Sequence, residues 1–139
     1  MKFIKILAAC LLVLAVSACS LTRKDTNAWL DQQNGPVTVD VTGDWDAGGA
    51  WSGGWGKATF IQQGKRFNGT LGLYYAEGVV SGDEIFMTIY SGKKVYYTAH
   101  LTKKGEDSYL GMVATKAIID KDSNSHGDYA ISLKRKSAR

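Results

Sequence analysis

From Val37 onward the apolar side chains recur at every second position, which is the period of a pleated strand and not of a helix. Val37, Val39, Val41, Gly43 and Trp45 share one face, opposite Thr38, Asp40, Thr42 and Asp44. The same alternation carries Ala58, Phe60 and Gln62, then Phe67, Gly69, Leu71 and Leu73, then the short pair Val79 and Val80. It continues through Ile85, Met87 and Ile89, and through Val95, Tyr97, Ala99 and Leu101, which oppose Tyr96, Thr98 and His100. Tyr109, Gly111 and Val113 follow, and a last strand carries Tyr129, Ile131 and Leu133. Short glycine-centred links such as Ser81-Gly82-Asp83, Ser91-Gly92-Lys93 and Lys104-Gly105-Glu106 separate these runs. Hairpin-length links between consecutive strands make an antiparallel meander, and about eight such strands close into a barrel with no free edge. The expected fold is therefore all-β: a single up-and-down antiparallel barrel over 37–139, with Gly69, Gly72 and Gly111 relieving its bends. A barrel that crosses a membrane is not expected. Its strands would need ~9–11 residues with an apolar outer face, whereas the outer positions here are Asp, Thr, Lys, Asn and His.

The first residues carry a different signal. Lys2 and Lys5 precede an apolar run, Ile6 to Ala18, with the layout of a secretory signal and less than the ~20 residues of a spanning helix. Val16-Ser17-Ala18-Cys19 at its end resembles a bacterial lipobox. The resemblance implies cleavage by signal peptidase II before Cys19 and attachment of three acyl chains, palmitate among them, to that residue. Leu7-Ala8-Ala9-Cys10 fits the same pattern, but few apolar residues precede it. An ordinary cleaved signal that leaves Cys19 free is the alternative. Ser20 follows the cysteine, and in the sorting rule of Gram-negative lipoproteins this permits export to the outer membrane, facing the periplasm. In a Gram-positive cell the same protein would face outward. Each buried methylene contributes ~0.8 kcal/mol, so several chains make a durable anchor. The expected organisation is a signal peptide over 1–18, a lipidated polar tether over 19–36 with one possible helical turn at Trp29 and Leu30, and the barrel.

Cleavage there leaves 121 of the 139 residues, enough for one domain with a modest core. No cysteine follows Cys19, so no disulfide supports the fold although the expected compartment would allow one. Loss of Lys2 and Lys5 leaves 15 basic against 13 acidic residues, and nucleic acid is not an expected partner. The C-terminal cluster Lys134-Arg135-Lys136, with Arg139, reads as a solvated strand end or as a contact for anionic headgroups or glycan phosphates.

Four groups of residues are candidates for function. Thr42-Gly43-Asp44-Trp45 resembles the Thr-Gly-x-Trp start of avidins and the Gly-x-Trp of lipocalins, members of the calycin superfamily of small barrels. The resemblance implies that Trp45 sits at one barrel end beneath a basic residue of the last strand, Lys134 or Arg135. No set of residues matches the avidin biotin ligands. Second, Gly48-Gly49-Ala50-Trp51-Ser52-Gly53-Gly54-Trp55-Gly56 sets two indoles in a glycine-rich stretch. These rings either stack on a ligand at the barrel mouth or fold inward as a plug. Tyr74 and Tyr75 add aromatic surface, as do Tyr90, Tyr96 and Tyr97. Third, Asp120, Asp122, Asn124 and Asp128 alternate oxygen-bearing side chains like half a calcium loop, but Ser125 and Ile131 stand where an EF-hand needs Gly and Glu. A polar hairpin loop is the favoured reading, and no cofactor is expected. Fourth, His100 and His126 are the only histidines, and no nucleophile elbow or zinc spacing accompanies them. The expectation is a membrane-anchored, non-catalytic binding module for an apolar or aromatic small molecule, a lipid or a glycan. The candidate ligand residues are Trp45, Trp51, Trp55, Tyr74 and Tyr75. The alternative is a protein-interaction module, of the inhibitor, immunity or envelope-assembly kind.

Overall fold

The computed structural model describes residues 21–49, 51–119 and 127–137. The signal segment, Cys19 and the loop residues Asp120, Asp122 and Asn124 lie outside them. Within the described residues a helix, α1 (Arg23–Asp31), precedes eight strands: β1 (Gly43–Gly49), β2 (Gly56–Gln63), β3 (Arg66–Leu71), β4 (Tyr74–Ser81), β5 (Glu84–Ser91), β6 (Lys94–Gly105), β7 (Ser108–Thr115) and β8 (Tyr129–Arg135). Every neighbouring pair is antiparallel, and β1 pairs with β8, so the sheet closes on itself as an up-and-down barrel.

The turns follow from single glycines. Gly64, Gly72, Gly82 and Gly92 each open a two-residue hairpin turn with φ of 63°, 59°, 59° and 61°. Positive φ at the first central residue is the signature of the type II′ turn, whose twist matches that of the strands it joins. Gly72 thus forms a turn and does not bend a strand from within, as the alternation had suggested. Gly69 and Gly111 do lie inside strands. A Cβ on either would meet the carbonyl of Thr59 or of His100 on the adjacent strand.

Alternation fills the interior. Trp45, Phe60, Phe67, Leu71, Ile85, Met87, Leu101, Tyr109, Ile131 and Leu133 form one buried cluster. The Phe60 and Phe67 rings meet at 5.0 Å, and the Phe67 ring lies against the backbone of Gly78, where a Cβ would collide with it. The interior is thus a core packed with side chains.

Two segments depart from expectation. The run Val37 to Thr42 alternates but is not a strand; β1 begins at Gly43. Its hydrogen bonds go to a side chain instead of a neighbouring strand: Gln62 accepts from the Val41 N–H (2.8 Å) and donates to the Val39 carbonyl (2.9 Å). The Thr42 N–H donates to the Asp40 carboxylate, which holds that group below the usual carboxylate range.

The second departure is the region expected as a tether. Arg23–Asp31 is a helix with a complete capping box between Thr22 and Asp25. It lies on the outer wall of the barrel. Trp29 and Leu30 pack with Val79, Phe86, Ala114 and Ile119 in a second buried cluster, and Trp29 meets the Phe86 ring edge-on at 5.8 Å. Arg23 pairs with Glu77 (2.8 Å) at one end of the helix, and Arg66 pairs with Asp31 at the other. His100, expected on a solvated face, is consequently buried: its ring stacks on Phe86 at 4.7 Å and its Nε2 contacts Glu84 Oε1 at 2.9 Å.

A docked helix has a measurable signature. Trp29→Ala is expected to lower the unfolding free energy by roughly 3 kcal/mol, the usual loss for a buried aromatic ring. Urea unfolding checks this, and a flexible tether would leave the midpoint unmoved.

Candidate binding site at the aromatic end of the barrel

The meander gives the barrel two ends of different chemistry. One end gathers the starts of β1, β3, β5 and β7 and the ends of the other strands; there Trp45 is fully buried. Its Nε1 donates to the Val41 carbonyl at 2.9 Å, and the Arg135 guanidinium lies 4.3 Å above its ring. Arg135 also donates to the carbonyls of Thr42 (2.7 Å) and Asp40 (2.6 Å) and pairs with Asp107 (2.8 Å). The basic residue of the last strand expected above Trp45 is thus Arg135, and Lys134 remains exposed. A planar five-donor group suits this place because it can stack and reach several acceptors at once. An open groove of about 460 Å³ beside it is lined by Asp107, Ser108 and Lys134 to Ser137. Trp45, the first ligand candidate, is therefore a structural lock with no face free for a ligand.

The opposite end is aromatic. Trp51 lies tilted against Trp55 at 4.7 Å and meets Tyr129 edge-on at 5.4 Å. Trp55 meets Tyr97 edge-on at 5.0 Å, Tyr97 meets Tyr74 at 5.8 Å, and Tyr74 meets Tyr96 at 5.5 Å. Lys94 Nζ sits 4.9 Å over the Tyr96 ring. Burial divides the two indoles. Trp55 is 6% exposed and its Nε1 donates to the Ala130 carbonyl at 3.1 Å, so it closes the barrel end. Trp51 is 44% exposed and presents its ring outward over that plug. Of the two indoles the structure makes Trp55 the plug and leaves Trp51 half-exposed.

Of the five candidates, Trp51, Trp55 and Tyr74 converge on this end. Tyr75 lies on the outer wall, stacked at 5.9 Å on Tyr90, and Trp45 belongs to the far end. The cluster also holds Tyr129, which the sequence reading passed over. Its position was a usable clue, because the first residue of the last strand lies beside the β1–β2 loop in a closed meander. Leu73, at the tip of the β3–β4 turn, is 98% exposed at the same end of the barrel. Asp128 accepts from the Thr115 N–H at 2.7 Å, closing the base of the last loop. Among the described residues no three His, Cys, Asp or Glu side chains come together as a metal site.

Two outcomes follow. Arg135→Lys is expected to destabilise by about 2 kcal/mol, because an ammonium cannot keep both carbonyl bonds and the stacking on Trp45; chemical unfolding reads the loss. Desolvation and the neighbouring Tyr74 hydroxyl push the Tyr97 phenol above its ordinary value. Its neutral form is favoured in the fold, so stability is complete below ~10 and falls as pH rises through the folded value. Tyr97→Phe should flatten that alkaline fall in a pH series of urea midpoints.

Comparison of the chain with protein-family models, with curated proteins and with solved structures finds no match, so the reading of this end rests on its own geometry.

Proposed function

We propose that the protein is a lipid-anchored binding module of the bacterial envelope that holds an apolar or aromatic ligand on the end of its barrel, not inside it. The anchor is Cys19, from the lipobox-like Val16-Ser17-Ala18-Cys19, and Ser20 favours the outer membrane with the domain facing the periplasm. The observation that carries the binding site is the exposed Trp51 ring held over the buried Trp55 and against Tyr129. A half-exposed indole adds little to the core, and here its contacts with Trp55 and Tyr129 fix its orientation in advance. Preorganised aromatic surface is what stacking recognition of a sugar, a lipid or an aromatic compound requires. The packed interior argues against a ligand enclosed as in a hollow barrel. Binding without catalysis accords with the state of His100, which is stacked on Phe86 and engaged with Glu84 beneath the helix wall.

The filled interior also favours the second reading, an envelope protein as the ligand, since a flat aromatic patch beside an exposed leucine suits a protein hot spot. Native mass spectrometry of the full protein purified from its envelope separates the two by what co-purifies. Trp51→Ala is the site probe. It is expected to abolish the co-purifying species while shifting stability by less than about 1 kcal/mol. Trp55→Ala is instead expected to destabilise by roughly 3 kcal/mol or more, as loss of a buried indole does. Retention of the ligand by Trp51→Ala would contradict the assignment.

A further inference from the structure

We infer that the ligand of the aromatic end is the lipid surface itself: the barrel stands end-on against the membrane that holds its anchor. This rests on the reading of Cys19 as the anchor and of the Trp51 end as the binding face.

Three independent observations point the same way. The first is where the chain arrives. Helix α1 runs down the outer wall with Asp31 at Arg66, the first residue of β3 and so at the Trp45 end. Its other terminus points toward the aromatic end, where the Arg23 guanidinium lies 4.1 Å over Tyr90, the penultimate residue of β5. Three residues lie between Cys19 and Arg23, and a chain spans at most about 3.5 Å per residue step, so the reach over four steps is about 14 Å. With the helix docked, the anchor is a short leash on this side of the molecule and not the long spacer that a free tether would be.

The second is the chemistry of the end. Leu73 stands fully out of the β3–β4 turn, at the same end of the barrel as the exposed Trp51 and Tyr129. A protruding aliphatic tip with exposed Trp and Tyr at the same end is the composition of surfaces that settle at the headgroup level of a bilayer.

The third is charge. Lys93 in the β5–β6 turn, Lys94 at the start of β6 and Lys116 just past β7 stand at this end, all exposed. The acids among the described residues on this side are Asp128, whose carboxylate accepts the Thr115 N–H, and Asp25, whose carboxylate is engaged by Thr22 in the first turn of the helix. At the opposite end the exposed turn acids Asp83, Glu106 and Asp107 offset the exposed lysines Lys104, Lys134 and Lys136. Anionic headgroups attract lysines placed within a Debye length of the surface, so the charge distribution favours this orientation over its reverse. The Lys134-Arg135-Lys136 cluster, considered above for that role, lies at the far end.

Quenching of tryptophan emission tests the inference on the full protein, reconstituted through its own anchor into phosphatidylcholine–phosphatidylglycerol vesicles. Lipids brominated near the top of the acyl chain are expected to quench a large share of the emission in the native protein. Trp51→Phe should lose most of that quenching, because Trp29, Trp45 and Trp55 are buried. Leu73→Asp combined with Lys94→Glu should reduce it severalfold without moving the thermal transition, since both side chains are exposed. Intact mass reads the anchor separately. Acylated Cys19 with an unquenched Trp51 overturns the end-on placement, whether that end is bare or covered by a protein or glycan, and leaves the anchor standing. Quenching with Cys19 unmodified supports the lipid-facing end and removes the anchor reading.

Discussion

The pairing of β1 with β8 is the constraint on which the rest of the structure depends. Strands β2 to β7 are held to their neighbours by short hairpins, but β1 and β8 are brought together from opposite ends of the domain. Without that seam the sheet would have two open edges and a core exposed along one side. The seam is fastened at one end by Arg135, which ties β8 to the Asp40–Thr42 segment and covers Trp45. It is fastened at the other by Trp55, whose indole N–H reaches the Ala130 carbonyl beside the start of β8. Two tryptophans of similar appearance in the sequence thus serve as bolts at the two ends of the same joint.

Closing and filling the barrel has a direct consequence for function. A packed interior leaves no room for a ligand, so the proposed recognition falls to the surfaces left over. The outer wall of β4 to β7 is occupied by the protein's own helix and by Ile119, and the Trp45 end is occupied by Arg135 and its acceptors. At the other end Trp51, Tyr129 and Leu73 stay uncovered and apolar. The same helix that covers the wall also points its first residue, Arg23, toward that end, where it contacts Glu77 and Tyr90.

Much of the fold was legible because it rests on local rules. Period two and single glycines at hairpin turns suffice to give a closed meander of eight strands, and the place of Trp45 beneath a basic residue of β8 followed from a short motif. The helix was less visible. Its buried stripe is Thr26, Trp29, Leu30 and Gln33, correctly spaced for a helix but half polar, and its capping box Thr22 to Asp25 was the stronger cue. His100 was misplaced for the same reason. Alternation tells which side of a strand a residue occupies, but not whether a segment distant in sequence will cover that side. The division of the two indoles into plug and exposed ring depended on the hydrogen bond to Ala130, a long-range contact that local pattern does not encode. Val37 to Thr42 misled because alternation alone does not make a strand when Gln62 takes the hydrogen bonds a neighbouring strand would supply.

The central claim is that this barrel is solid and binds by its aromatic end. Methyl and indole NMR of the full protein with and without phospholipid nanodiscs addresses it most directly. The account predicts shift and broadening changes confined to the Trp51 indole, the Leu73 methyls and their neighbours, with the methyls of Leu71, Ile85, Met87 and Leu101 unmoved. Changes at those interior methyls, with the Trp51 end silent, would contradict it.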